Sequence, residues 1–471
     1  MFKLSQIPAR YVGLALLCPL TLAYLALFRF DLFGIDEGAA RGLLLNWSIG
    51  SQMLSPVAIL GFPDLRALLL SPLNLHWVGD LTAAKVYTMF LTFATGLMIY
   101  RWAEEKLGEE TALFATGLWL ISPLTISQVD SIGAGNYLVL TTVVIYWMEK
   151  HFRNAPQVIS GFYFILLLLA ALAISMHPAG LGIAVALAWS WVRDSGDKPK
   201  KRNMLILGMF IMGFFVLVSR LGWPEITLVD NPLPALAMVL SGPTFGEPST
   251  ALAVLAAVLF ALAAFSAIRR KAGLFSSMLM FGAVFGLLAP NSAWAELLLV
   301  VILYEGLHAL MALNSKFGSS PAARRSLVAV AVLLLSTSFM LMDKQRYYAI
   351  HSDKLSSSDQ LIAALGELDT NPDPNQIIAS QWPGRTMLAT RRGALPLPPI
   401  HGDLEIRELF LRQTRGISYM IFDHRDKRNA ALVRQISSLS DIIKTEAVLP
   451  GGVIVKMPSA DEKKKEPKAK S

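Results

Sequence analysis

The sequence predicts an α-helical polytopic membrane protein of about eleven transmembrane helices, followed by a small external α/β domain. Three observations carry that prediction. Of the 471 residues 54% are hydrophobic and only 16% charged, with a mean hydropathy of +0.50, whereas a soluble domain carries about 25% charged residues. Apolar stretches recur through the first three quarters of the chain, at lengths that approach a bilayer crossing. Lys and Arg fall unevenly between alternate connections, as the positive-inside rule requires of a multi-pass chain. This composition excludes a cytosolic enzyme and a nucleic-acid-binding domain. Cys18 is the single cysteine, so no intrachain disulfide closes. The net charge of +8 is accounted for by loops rather than by a nucleic-acid partner.

Taken in order, the apolar stretches run over about 11–29, 83–100, 111–128, 133–148, 158–176, 178–192, 203–221, 250–268, 273–290, 293–313 and 326–342. The first follows Lys3 and Arg10 and continues to Phe30 without an A-x-A site, which marks a retained anchor rather than a cleaved signal. One set of connections holds 17 basic residues: Lys3, Arg10, Arg101, Lys106, Lys150, Arg153, Arg193, Lys198, Lys200, Lys201, Arg202, Arg269, Arg270, Lys271, Lys316, Arg324 and Arg325. The other holds five: Arg29, Arg41, Arg66, Lys85 and Arg220. The bias puts the N-terminus in the cytoplasm. With an odd number of spans, the loop 30–82 and everything after about 343 lie outside. Tyr100, Trp102, Trp147, Trp189 and Trp191 sit at stretch ends, where interfacial aromatics are expected.

The expected domains are a transmembrane domain over 1–342, an external α/β domain over 343–458 and a basic disordered tail over 459–471 rich in lysine. In the α/β domain, alternation predicts strands at Gln376–Ser380, Thr386–Arg391, Ile417–Phe422 and Gly452–Met457, and helices at 358–368, 403–414 and 427–443. Trp382-Pro383-Gly384-Arg385 and Thr390-Arg391-Arg392-Gly393 read as a basic patch in turns between strands.

The first external loop carries Gly34-Ile35-Asp36-Glu37-Gly38. Adjacent carboxylates there have two readings. They cap a helix over 39–45 by facing its N-terminal N–H groups, or one of them takes a proton from an acceptor hydroxyl while its neighbour orients it. In the tenth stretch, Glu305 and His308 share a helical face, with Glu296 nearer its external end. A single Glu-x-x-His lacks the second copy that a carboxylate metal site uses, so this pair is expected to hydrogen-bond to neighbouring helices.

An N-terminal span followed at once by an external Asp-Glu pair resembles the polyprenyl-phosphate-dependent glycosyltransferases of the GT-C class, and among them the protein O-mannosyltransferases and aminoarabinose lipid A transferases. The resemblance continues through Ser71-Pro72-Leu73, Ala84-Lys85, and Ile121-Ser122-Pro123 followed by Asp130, over roughly residues 1–220. It implies a bacterial inner-membrane enzyme that moves a hexosyl or pentosyl group from a polyprenyl-phosphate donor to a lipid, glycan or protein acceptor, by an inverting displacement on the external face. Asp36 or Glu37 would be the general base. Lys85 and Arg220 would hold the lipid phosphate, with Arg41 as a third external cation that pairs equally well with Asp36 or Glu37. Asp130 and His177 would line the substrate cavity. No cofactor is required by the sequence, a divalent metal is left open, and the partners implied are the sugar donor, membrane lipids and an acceptor the sequence does not identify. Met176-His177-Pro178-Ala179-Gly180 departs from relatives that carry a basic residue beside a glycine. His177 replaces that charge only when protonated, and imidazole titrates near about 6.5. That departure supports the alternative of a non-catalytic membrane scaffold or assembly protein of the same fold. A transporter is a third possibility, without the internal repeat such proteins tend to show.

Overall fold

The computed structural model describes residues 9–29, 34–40, 43–44, 65–70, 81–153, 160–193, 232–242, 250–269, 273–287, 293–316, 321–351, 356–368, 377–390, 392–398, 414, 416–426, 429–440, 443–449 and 452–458. The chain divides into two compact units. The first comprises Met1–Arg29, Asp64–Leu69 and Thr82–Ser352, and the second Phe30–Pro63, Leu70–Leu81 and Asp353–Ser471.

The first unit is helical. Its elements are α1 (Ala9–Leu27), α2 (Leu65–Leu70), α3 (Leu81–Leu107), α4 (Glu109–Leu120), α5 (Pro123–Asp130), α6 (Ala134–Arg153), α7 (Ser160–Met176), α8 (Ala179–Arg193), α9 (Pro232–Ser241), α10 (Thr250–Arg269), α11 (Leu274–Gly286), α12 (Ala293–Val301), α13 (Leu307–Lys316) and α14 (Pro321–His351), with a π-helical turn at Ile302–Gly306 joining α12 to α13. Ten of the eleven predicted apolar stretches fall on these helices. The stretch 203–221 lies outside the described residues. Among the described residues, two helices are long and apolar enough, by length and composition, to cross a membrane: Leu81–Leu107 and Ala293–Ala312. Glu109–Leu120 and Pro123–Asp130, bent by 50°, make a third if they act as one span. Helix α9 falls where the sequence predicts loop, because ten residues with two prolines are too short to register as a span.

Helices α8 and α11 approach so closely that a Cβ on Gly182 would collide with the backbone carbonyl of Phe281. Small residues permit this in membrane bundles, where packing rather than the hydrophobic effect drives helix association. Another cluster gathers Tyr24, Leu27 and Phe28 of the first helix and its end with Met89 and Phe93 of α3 and Ile126 and Val129 of α5. Tyr24 meets the Phe93 ring edge-on at 5.3 Å and donates to the Leu120 carbonyl at 2.6 Å. Trp102 departs from the interfacial role expected of it. It is buried, 4.6 Å from the Phe275 ring, so its large apolar surface is spent on helix packing.

The second unit holds α15 (Ser357–Leu368), β1 (Ile377–Ser380), α16 (Pro383–Thr390), β2 (Ala394–Pro396), β3 (Ile417–Phe422), α17 (Ala430–Ser438), β4 (Lys444–Leu449) and β5 (Gly452–Lys456). The five strands form one sheet in the order β2-β1-β3-β5-β4. β1 pairs in parallel with β2 and β3, while β5 runs antiparallel to β3 and β4. Strand β3 is a nearly continuous apolar run because it is central and covered. β4 is an exposed edge carrying Lys444 and Glu446, charges that discourage further pairing. Met420, Phe422, Leu432, Ile436, Leu439, Ile443 and Val455 make its core.

Two expectations are corrected here. Thr386–Arg391, expected as a strand, falls largely on helix α16, whose first residue is Pro383, pre-set for a helical first turn. The helix expected over 427–443 is confined to Ala430–Ser438 and followed by a strand. Strands β1, β3 and β5 and helix α15 fall where expected, whereas 403–413 and the tail 459–471 lie outside the described residues.

Candidate functional site

Helix α5 starts at Ser122-Pro123: the Ser122 Oγ accepts the Thr125 N–H at 3.1 Å and Pro123 takes the first helical position. It ends at Asp130 in a left-handed cap. The Ile132 N–H donates to the Val129 carbonyl at 3.1 Å and the Gly133 N–H to the Gln128 carbonyl at 2.7 Å, the Schellman pattern. The cap residue is Ile132, at φ 52°, where glycine is usual. A left-handed β-branched residue costs about 1–2 kcal/mol, and full burial of the isoleucine side chain, worth about 1.5–3 kcal/mol, offsets it. Its carbonyl accepts a hydrogen bond from the buried Arg66 Nη1 at 3.1 Å.

This cap sets Asp130 at the centre of a buried ionic cluster. Its Oδ1 accepts from Lys85 Nζ at 2.7 Å and from the Arg29 N–H at 2.9 Å, while its Oδ2 accepts from Arg346 Nη2 at 2.6 Å. Lys85, fully buried near the start of α3, also donates to the Arg29 carbonyl. Two cations thus meet one carboxylate, and Arg346 Nε and Asp343 Oδ1 are buried nearby in sequence without a hydrogen-bond partner. The structure therefore joins Lys85 to Asp130, two of the residues singled out from sequence. It adds Arg346, which sequence reasoning missed. The available signal was a basic residue just past the last apolar stretch.

Elsewhere in this unit, His177 Nδ1 accepts the Ala179 N–H at 3.0 Å and so caps the start of α8. A doubly protonated imidazole has no acceptor nitrogen, so this bond belongs to the neutral ring. Glu296 Oε1 accepts from Trp119 Nε1 at 2.6 Å and Thr125 Oγ1 at 2.7 Å. Glu305 accepts from Ser276 Oγ at 2.7 Å, and His308 Nδ1 lies 3.3 Å from the Leu107 carbonyl oxygen, so both bond to neighbouring elements. Among the described residues no three His, Cys, Asp or Glu side chains gather as a metal site would require.

In the second unit, Asp36 and Glu37 are half-buried. The Asp36 carbonyl accepts the Ala40 N–H at 2.9 Å, which opens a helical turn at Glu37–Ala40. The Glu37 carboxylate reaches the start of α16. Its Oε1 accepts the Gly384 N–H at 2.6 Å and its Oε2 the Arg385 N–H at 3.0 Å. These are free donors of the first turn of α16, where a helix favours negative charge. The supposed basic turn around Arg385 is therefore a helix start occupied by a carboxylate. Arg41, Arg220 and the Ser71-Pro72-Leu73 motif lie outside the described residues.

The same fold occurs in solved structures. ArnT from Cupriavidus metallidurans in the apo state superposes with a TM-score of 0.53 at 12% identity, covering 95% of this chain and 98% of that one. The archaeal oligosaccharyltransferase AglB from Archaeoglobus fulgidus, in complex with an inhibitory peptide and a dolichol-phosphate, gives 0.51 at 12% identity over 88% and 70%. The Archaeoglobus fulgidus oligosaccharyltransferase in its apo form gives 0.52 at 11% over 90% and 71%. ArnT and AglB are GT-C glycosyltransferases, so the resemblance read from the short motifs holds for the fold, and the chain has a helical GT-C architecture. No protein-family profile and no curated protein matches the sequence.

Proposed function

We propose that the chain is a glycosyltransferase that moves a hexosyl or pentosyl group from a polyprenyl-phosphate donor to an acceptor on the external face of a bacterial inner membrane. The observation that supports it most is the buried cluster in which Lys85 and Arg346 share Asp130. Burying cations is costly, and Lys85 and Arg346 beside Asp130 would offer an incoming lipid phosphate two positive groups where the leaving group becomes an anion. The fold points the same way: AglB, of the same architecture, is in complex with a dolichol-phosphate. Asp36 is assigned the general-base role, with Arg220 and Arg41 as further candidate phosphate ligands. Eleven spans, a cytoplasmic N-terminus and an external C-terminal domain belong to the same proposal.

A second function, that of a non-catalytic scaffold, is favoured by one observation: Lys85, Glu37 and His177 all have structural work, as ion-pair partner, helix clamp and helix cap. Transfer from labelled polyprenyl-phosphate sugars, in membranes carrying each variant at matched abundance, separates the two. Asp36→Asn is expected to lose at least about a hundredfold in transfer while staying folded. Lys85→Ala is expected to weaken donor binding as well as turnover. Wild-type transfer by Asp36→Asn would remove the base assignment, and no transfer by the parent chain would favour the scaffold.

A further inference from the structure

The segment that carries Asp36 is held on both sides by residues of the α/β domain, all within the second unit. Before Asp36, the Gly34 N–H donates to Asp359 Oδ2 at 3.3 Å. After it, the Glu37 carboxylate takes the N–H groups of Gly384 and Arg385. These two anchors are themselves joined, because the Arg385 guanidinium is ion-paired with Asp359 and donates to Ser358 Oγ at 3.0 Å. The bonds close a circuit from Gly34 through Asp359 and Arg385 to Glu37, and Asp36 lies in the stretch of chain that completes it.

We propose that Glu37, Asp359 and Arg385 are positioning residues that fix Asp36, an inference that rests on the base assignment made above. Glu37 is then not the base. Both of its oxygens accept backbone N–H donors, and taking a proton from an acceptor would weaken those charge-assisted bonds. The terminal domain acquires a part in the chemistry without touching the substrate: it sets the loop geometry on which proton abstraction depends. Asp359 also has a local duty. Ser356 Oγ accepts the Asp359 N–H at 3.2 Å and donates to Asp359 Oδ2 at 2.5 Å, a cap on α15. That bond reaches the same oxygen that holds Gly34, so the control for a merely structural effect is Ile436→Val, which loosens the core of the same domain at a residue outside the circuit.

The test uses the full-length chain in membranes of its own host, which supply the acceptor, with a panel of undecaprenyl-phosphoryl hexoses and pentoses as probes. Amide exchange at Gly384 and Arg385 is followed in parallel. Glu37→Gln and Asp359→Asn are each expected to lower kcat roughly tenfold to a hundredfold. The donor KM should change less than about twofold and the acid limb of the pH–rate profile should be kept. Asp36→Asn should lose that limb. Glu37→Gln should also speed exchange at Gly384 and Arg385, and the double variant Glu37→Gln/Asp359→Asn should fall well short of the product of the single losses, since the circuit opens only once. Ile436→Val should retain the parent kcat. Parent-level kcat in Glu37→Gln despite accelerated exchange would overturn the positioning role, and so would loss of the acid limb in that variant, which would make Glu37 the base. A fully active Asp36→Asn would instead remove the base assignment beneath the proposal, and a parent chain that turns over no donor would overturn both.

Discussion

Replacing Asp130 with asparagine keeps the shape of the side chain and removes the charge that Lys85 and Arg346 share. Lys85 is fully buried, and its nitrogen and that of Arg346 lie 2.7 and 2.6 Å from the carboxylate oxygens. At an effective dielectric constant of about 20, unit charges 4 Å apart interact by about 4 kcal/mol. Much of that offsets the cost of taking the ions out of water, which the cations still bear when the carboxylate is gone. Removing one partner of a buried pair costs about 3–5 kcal/mol for this reason. The amide adds a fault of its own, turning an N–H₂ donor toward one of two cations. Asp130→Asn is therefore expected to lose about 3–5 kcal/mol of stability, measured by equilibrium unfolding in mixed micelles titrated with dodecyl sulfate. Lys85→Met placed on Asp130→Asn should return at least about 1 kcal/mol, because a buried cation that has lost the Asp130 charge is removed with it. An Asp130→Asn variant within about 1 kcal/mol of the parent, or a double variant no better than the single, would refute the claim that these groups form one buried, coupled cluster.

Three other outcomes follow from the same structure and sequence. Topology reporters fused after Arg202 and after Tyr348 should report opposite sides of the membrane, because 17 basic residues flank one face and five the other; identical signals would contradict the span count. Gly182→Ala puts a methyl group against the Phe281 backbone and should cost about 1–3 kcal/mol of overpacking, read in the same micellar titration. Met420→Ala, in the covered central strand of the sheet, should cost about 2–5 kcal/mol and expose the terminal domain to limited proteolysis.

Ten apolar stretches in the first unit were legible in the sequence as helical because burial in lipid or in a bundle demands a long local run of apolar residues, and a run is a local property. Strands β1, β3 and β5 were legible for a similar reason. Thr386–Arg391 was not: its alternation imitates a strand, and the helical outcome depends on Pro383 and on a carboxylate brought to the helix start from a residue far away in the chain. The Asp36-Glu37 pair could be singled out by its place just beyond the first apolar stretch, and Lys85 as a basic residue in the connections where such residues are few. Their partners could not. Asp130 is joined to Lys85 and Arg346 across separations of 45 and 216 residues, and Glu37 to Gly384 across 347. Hydropathy and periodicity act over one or two turns of chain, so they determine what each segment is. Which carboxylate neutralises which cation is decided only when packing has excluded water and left each buried charge to find a partner.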